Sequence, residues 1–228
     1  MPERHAINRA IDRAINRAMD RRGLMMSLGA LGATLLLPRP GMAADLVLTP
    51  GQTEGPFYPT SFPADVDNDL VLVRGAATRA LGTVAHIHGR ILDRAGRPVP
   101  GATVEIWQCD AQGRYRHPRA PDHERFDGGF QGYGRTSVDK DGAYRFRTIR
   151  PVPYPGRTPH IHYAVIVPGT GRFVTQMYVA GEPLNARDGL LNGIRDPRAR
   201  QSVIVPLAAA NDGEAGAVQG RFDIVLDL

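Results

Sequence analysis

Residues 151–163 read Pro-Val-Pro-Tyr-Pro-Gly-Arg-Thr-Pro-His-Ile-His-Tyr, and the apolar run Ala-Val-Ile-Val follows them to residue 167. Proline fixes its own φ and pushes the preceding residue into extended conformations. Tyr154, between Pro153 and Pro155, therefore sits on a stiff, non-helical backbone. The pattern predicts a strand over residues 160–167. On a strand, His160 and His162 point to the same face, so the pair can converge on one metal ion. Arg157 stands between the tyrosine and the histidines and stays protonated at any working pH.

A four-coordinate site needs one more ligand. Residues 107–118, Trp-Gln-Cys-Asp-Ala-Gln-Gly-Arg-Tyr-Arg-His-Pro, supply Tyr115 after a strand end and a turn at Gly113. Tyr115, Tyr154, His160 and His162 would make a site of two oxygens and two nitrogens. Phenolate is a hard, electron-rich donor that redox-inert zinc sites rarely use. Two phenolates favour a hard, highly charged ion, and Fe(III), one per chain, is the expected cofactor. The chain carries its own control in His86-Ile87-His88, the same spacing with no tyrosine or arginine around it. That copy reads as the polar face of a half-buried strand.

Outward from these stretches, short apolar runs alternate with turns. Strands are expected over residues 70–73, 84–92, 103–108, 134–138, 143–148, 173–179, 202–207 and 222–228. Thr103, Glu105 and Trp107 should face away from Val104 and Ile106. Asp139-Lys-Asp-Gly142 reads as a hairpin turn. One helix is expected, around residues 184–191. With 26 Gly and 19 Pro in 228 residues, the fold class is all-β, a single β-sandwich spanning residues 69–228. The lone Cys109 excludes an intramolecular disulfide and reads as a packed thiol. Residues 45–68, punctuated by Pro50, Gly51, Gly55, Pro56, Pro59 and Pro63, read as an extended arm.

The formal charge of +5 is misleading, because residues 1–44 hold seven arginines against three carboxylates and leave +1 for the remainder. This removes the main argument for a nucleic-acid partner. Residues 1–44 read as a leader. A four-residue repeat over residues 6–21 is either a short amphipathic helix or the product of a start codon set too far upstream. Asp20-Arg21-Arg22-Gly23-Leu24-Met25 resembles a twin-arginine export signal. The apolar run 24–37 is short for a membrane span, and cleavage is expected after Ala43 or Ala44, the alternative being a retained membrane anchor. The chain should meet a membrane only during export, which is expected to be periplasmic. Twin-arginine export carries folded, cofactor-loaded proteins, which suits a metalloenzyme.

The chain resembles the intradiol ring-cleavage dioxygenases, the family of protocatechuate 3,4-dioxygenase and catechol 1,2-dioxygenase. The blocks are Thr-Pro-Gly-Gln-Thr-Glu-Gly-Pro-Phe-Tyr (49–58), Gly-Arg-Ile-Leu-Asp (89–93), Pro-Val-Pro-Gly-Ala-Thr-Val-Glu-Ile-Trp-Gln (98–108), the tyrosine and histidine motifs above, and Thr-Gln-Met-Tyr (175–178), in the family's order. The resemblance implies a non-haem Fe(III) enzyme that cleaves a catechol-type ring between its hydroxylated carbons with O2, giving a cis,cis-muconate-type diacid. Tyr154 matches the family's axial tyrosine, which leaves the metal when substrate binds. Arg157 matches the pocket arginine that meets negative charge developing on the ring. Gln176 and Tyr178 match positions that orient ligands or water. Pro56, Phe57 and Tyr58 match an arm that helps wall the substrate pocket, in cis or across a homo-oligomer interface. Gly156 stands in a short loop where protocatechuate enzymes carry a bulky aromatic, so a more open pocket is expected. No counterpart of the long helical N-terminal domain of catechol 1,2-dioxygenases is expected.

Two rival readings compete. A non-catalytic transthyretin-like sandwich also uses strings like Gly-x-Pro-Val-x-Gly-Ala-x-Val, but has no reason to gather both tyrosines and the His pair. A zinc hydrolase using His160 and His162 would want a nearby carboxylate, and residues 142–181 contain neither Asp nor Glu.

Overall fold

The computed structural model describes residues 46–63, 65–211 and 214–228. The leader, with its repeat, twin-arginine motif, apolar run and cleavage site, lies outside the described residues. No helix among the described residues is long and apolar enough to cross a membrane.

Two five-stranded sheets pack face to face. In the first, β1 (Val84–Asp93) is the central strand. It pairs antiparallel with β4 (Ala143–Ile149) and parallel with β9 (Val218–Arg221) and β10 (Ile224–Leu226), and β8 (Ala208–Ala209) extends β9. The second runs β3 (Tyr133–Ser137), β2 (Thr103–Trp107), β5 (His160–Val167), β6 (Gly171–Val179), β7 (Ile204–Val205). The core between them contains Ile87 and Ile91 of β1, Phe146 of β4, Val104 and Ile106 of β2, and Ile161, Tyr163 and Val165 of β5.

The sheets differ on their outer faces. The outward residues of β1 and β4, among them His86, His88, Arg145 and Arg147, are exposed or half-buried. His86 meets Glu214 at 3.0 Å, as the polar face of a half-buried strand should. The second sheet is buried on both sides. The expected half-buried alternation of β2 is therefore replaced by burial of Val104, Glu105, Ile106 and Trp107 alike. A second apolar cluster explains this: Phe57 and Tyr58 of the arm, with Tyr115, Val152 and Tyr154 from two loops, cover Trp107, Tyr133 and Ala164.

Four expectations change. Residues 70–73 form no strand. The carboxylates of Asp67 and Asp69 take the amides of Asp69 and Val71, and local side-chain bonds of this kind compete with a ladder. Leu70 and Val71 instead plug the core. The turn at residues 139–142 is present, with Gly142 donating to Asp139 O at 3.0 Å, but it joins strands of different sheets and is a corner between layers. Residues 202–207 divide between the helix Pro197–Ser202 and β7. That helix was missed, although Asp196 caps Arg198 N and Pro197 occupies the first turn, a sequence signature of a helix start. The expected helix near residue 184 is a 3₁₀ turn, Pro183–Arg187, followed by a short α-helix, Gly189–Asn192.

Candidate metal centre

The outer face of the second sheet holds the site. On β5, His160 and His162 share that face, and their Nε2 atoms stand 3.2 Å apart. His160 Nδ1 donates to Thr158 O at 2.6 Å. A carbonyl can only accept, so His160 Nε2 is left as the bare lone pair aimed at its neighbour. His162 Nδ1 is buried without a hydrogen-bond partner among the described residues. Burial first, then the Arg157 charge, pushes the His160 pKa down to about 4. Burial, then His160 and Arg157, holds that of His162 well below its usual value. Both imidazoles are neutral donors at neutral pH.

Tyr154 and Arg157 bracket a tight turn in which Arg157 N donates to Tyr154 O at 2.9 Å. Pro155 and Gly156, the latter at φ 82°, supply what a type II turn requires at its two central positions. The turn places both side chains together, with Arg157 Nη1 3.4 Å from the Tyr154 hydroxyl. The ring of Tyr154 lies 5.4 Å from that of His160 and 5.5 Å from that of Tyr115. Tyr115 follows β2 on a loop organised by buried Asp110, whose carboxylate accepts the amides of Gln112, Arg114 and Asp127. The Tyr115 hydroxyl is buried and has no hydrogen-bond partner among the described residues. Burial raises the pKa of both phenols, with Arg157 pulling Tyr154 the other way. Cys109 beside this loop is packed as expected, its thiol pushed up to about 12 by burial and then by Asp110.

Arg157 donates from Nε to Asp188 at 2.8 Å and from Nη2 to Gln176 at 2.6 Å. Gln176 and Tyr178 of β6 stand opposite His162 and His160 in the antiparallel register. The Tyr178 hydroxyl donates to Gln176 Oε1 at 3.2 Å.

The arm lies across this face of its own chain. Gln52 donates to the Tyr178 hydroxyl at 2.8 Å and accepts from Gln176 N, while Gln176 Nε2 donates to Thr53 O. Arg119 holds Pro56 O at 2.9 Å. Phe57 packs on Tyr115, ring centres 4.8 Å apart, and 6.4 Å from Tyr154. Tyr58 turns to Trp107 at 5.0 Å and donates to buried Glu105 at 2.9 Å. The structure thus brings Tyr115, Tyr154, His160, His162, Arg157, Gln176, Tyr178 and Phe57 to one place. Pro56 is held at its edge, and Tyr58 serves as a strut toward Glu105. Gln52, Thr53, Glu105, Trp107, Asp110 and Asp188 were not foreseen as parts of the site. Among the described residues, no three of His, Cys, Asp and Glu are placed to hold a metal. The His pair therefore has phenol oxygens, and no carboxylates, for company.

The family model described as Dioxygenase matches residues 53–228. The chain is 37% identical over 179 residues to the protocatechuate 3,4-dioxygenase beta chain of Burkholderia cepacia, covering 75% of this chain and 76% of that one. It is 31% identical over 195 residues to the hydroxyquinol 1,2-dioxygenase of Rhodococcus opacus, of whose length it spans 61% with 75% of its own. The solved dioxygenase domain of a dioxygenase and carbohydrate-binding fusion from Streptomyces sp. SirexAA-E superimposes with a TM-score of 0.62 at 31% identity, covering 80% of this chain and 99% of that one.

Proposed function

The chain belongs to the intradiol ring-cleavage dioxygenases, oxidoreductases that open a catechol-type ring between its two hydroxylated carbons with O2, and we propose that Tyr115, Tyr154, His160 and His162 hold one ferric ion per chain. One observation carries this reading: two imidazole nitrogens meet at 3.2 Å beside the Tyr115 hydroxyl, which has no hydrogen-bond partner among the described residues, with Tyr154 closing the group. The family implies non-haem iron, and the donors suit it. The imidazoles are held neutral, and the phenols resist ionisation by burial unless a strong positive charge compensates.

Bound there, Fe(III) supplies Lewis acidity and a template for the two ring oxygens. The side chains supply the remainder. Tyr154 lines an open cavity, and as the phenolate that a bound ferric ion would favour it would accept one of the two diol protons. Arg157, fixed by Asp188 and Gln176, presents a guanidinium beside Tyr154 and meets negative charge as it develops on the ring. Gln176 ties that arginine to the arm through Thr53. Phe57 packs its ring on Tyr115, whose hydroxyl is buried. The substrates are an aromatic diol and O2, and the product is a muconate-type diacid. Twin-arginine export to the periplasm belongs to the same proposal and rests on the sequence of residues 20–44.

Metal analysis and a visible spectrum of the purified protein, before and after anaerobic addition of catechols, test the reading. About one iron per chain, with a tyrosinate-to-iron charge-transfer band that shifts with a diol, is expected. Colourless protein that takes up no iron on reconstitution would overturn it in favour of a binding module.

A further inference from the structure

Trp107 Nε1 and Gln131 Oε1 are both buried, and neither has a hydrogen-bond partner among the described residues. An indole N–H can only donate. The Gln131 amide is oriented by its other end, where Nε2 donates to Tyr133 O at 2.8 Å and to Asp67 O at 3.4 Å. Both of these are carbonyls, which can only accept, so Nε2 stays with them and Oε1 is the acceptor left over. A donor without an acceptor and an acceptor without a donor thus line one cavity of about 20 Å³. Tyr115 lines it too, with its hydroxyl assigned to iron above. The indole and the amide make no direct bond, and a polar cavity of this size has room for a single water molecule. One water can accept from the indole and donate to the amide, which satisfies both groups.

Trp107 stands between Tyr133 and His162 in the register of the second sheet, and its indole stacks on the His162 imidazole. Stacking keeps two rings parallel but lets them slide past each other. A hydrogen bond at the indole edge stops the slide. Resting on the ferric-site reading above, we propose that Gln131 is a positioning residue for His162, acting through one bound water and the Trp107 indole. Gln131 touches neither the metal ligands nor the cavity beside Tyr154. It fixes the indole, and the indole fixes the imidazole.

Trp107 is the single tryptophan of the chain, so its indole N–H gives one signal in the NMR spectrum of the isotopically labelled, iron-free full chain. Wild type should show magnetisation transfer from water to that proton, with the sign of a long-lived rather than a passing water. Gln131→Met should lose the transfer, and its indole signal should move upfield as the hydrogen bond goes. Gln131→Glu, kept protonated by burial against the two carbonyls, retains a donor and the acceptor and should restore most of both. With iron added, equilibrium dialysis should show Gln131→Met binding it about threefold more weakly, less than loss of a direct partner costs. Adding Gln131→Met to Trp107→Leu should cost nothing more, because the path runs through the indole. A wild-type indole proton that receives no such transfer, iron affinity unmoved by Gln131→Met, or a double variant weaker than Trp107→Leu alone overturns the proposal. The wild-type signal needs no substitution, so it remains decisive even where Gln131→Met fails to fold. Failure of the ferric reading looks different: no variant binds iron, wild type included, while the water signal persists.

Discussion

The indole of Trp107 lies flat on the imidazole of His162, with ring centres 4.9 Å apart and planes 9° apart. A metal-binding histidine usually has its second nitrogen tied to a carbonyl or carboxylate, which sets the ring's orientation. His160 follows that rule through Thr158, but His162 Nδ1 has no partner among the described residues. Stacking therefore replaces hydrogen bonding as the device that aims His162. Trp107→Leu should weaken iron binding by about tenfold, the low end of what loss of an orienting contact costs, and broaden the charge-transfer band. Trp107→Phe should recover most of both. Equilibrium dialysis against an iron chelator reads the first, and the visible spectrum the second.

Tyr115 makes opposite predictions with and without iron. Its buried hydroxyl has no hydrogen-bond partner among the described residues, and an unsatisfied buried polar group costs about 1–3 kcal/mol. Tyr115→Phe should leave the iron-free protein as stable as wild type or more so. The same substitution should lose the extra stability that iron confers, along with part of the colour. Urea unfolding of both forms decides the point. A marked loss of stability in the iron-free variant would show that the hydroxyl is structurally bonded and is no donor.

Gly55 presses on the open edge of His162, where a Cβ would stand 3.3 Å from Cε1, and its φ is 77°. Gly55→Ala should cost about 1–2 kcal/mol from the backbone alone and should also displace the imidazole. Gly75→Ala separates the two effects, since φ is 82° there and nothing lies within 4 Å. Both variants should unfold earlier, and only Gly55→Ala should shift the iron spectrum.

Acid sensitivity should reside in part on the opposite sheet. Hydrogen bonding to Arg147 chiefly holds the Glu214 carboxyl down to about 2. A depressed carboxylate stabilises fully above its unfolded pKa and loses that contribution as pH falls through the folded one. Glu214→Gln should therefore be less stable than wild type at neutral pH. The gap should close between roughly pH 4.5 and 2. Parallel stability curves over that range would contradict the assignment.

The strand bearing the ligands was legible because its signals are local: proline stiffening before residue 160, then an unbroken apolar run. The boundaries of β5 agree with the pattern for that reason. The corner at residues 139–142 shows where such reading stops. Its turn chemistry is local, but which sheet the next strand joins is settled by partners far along the chain. The same applies to the site. Tyrosine and histidine types point to metal by their chemistry. Gln52 and Asp188 carry no such mark, and only the fold brings them to Tyr178 and Arg157. Trp107 and Glu105 looked like the polar side of a half-buried strand because the arm that covers them is written some fifty residues earlier.

The arm's position has a consequence for the order of synthesis. Pro50, Gln52 and Thr53 find their partners in Thr175, Gln176 and Tyr178, at separations of 123 to 126 residues. A ribosome delivers the arm before any of those partners exists. Contacts so distant in sequence form late, because the intervening chain must first be closed into a loop. The first described residues to leave the tunnel are thus among the last to settle. Until they do, His160 and His162 stand without their roof, which leaves an interval in which a cation can reach them from solvent.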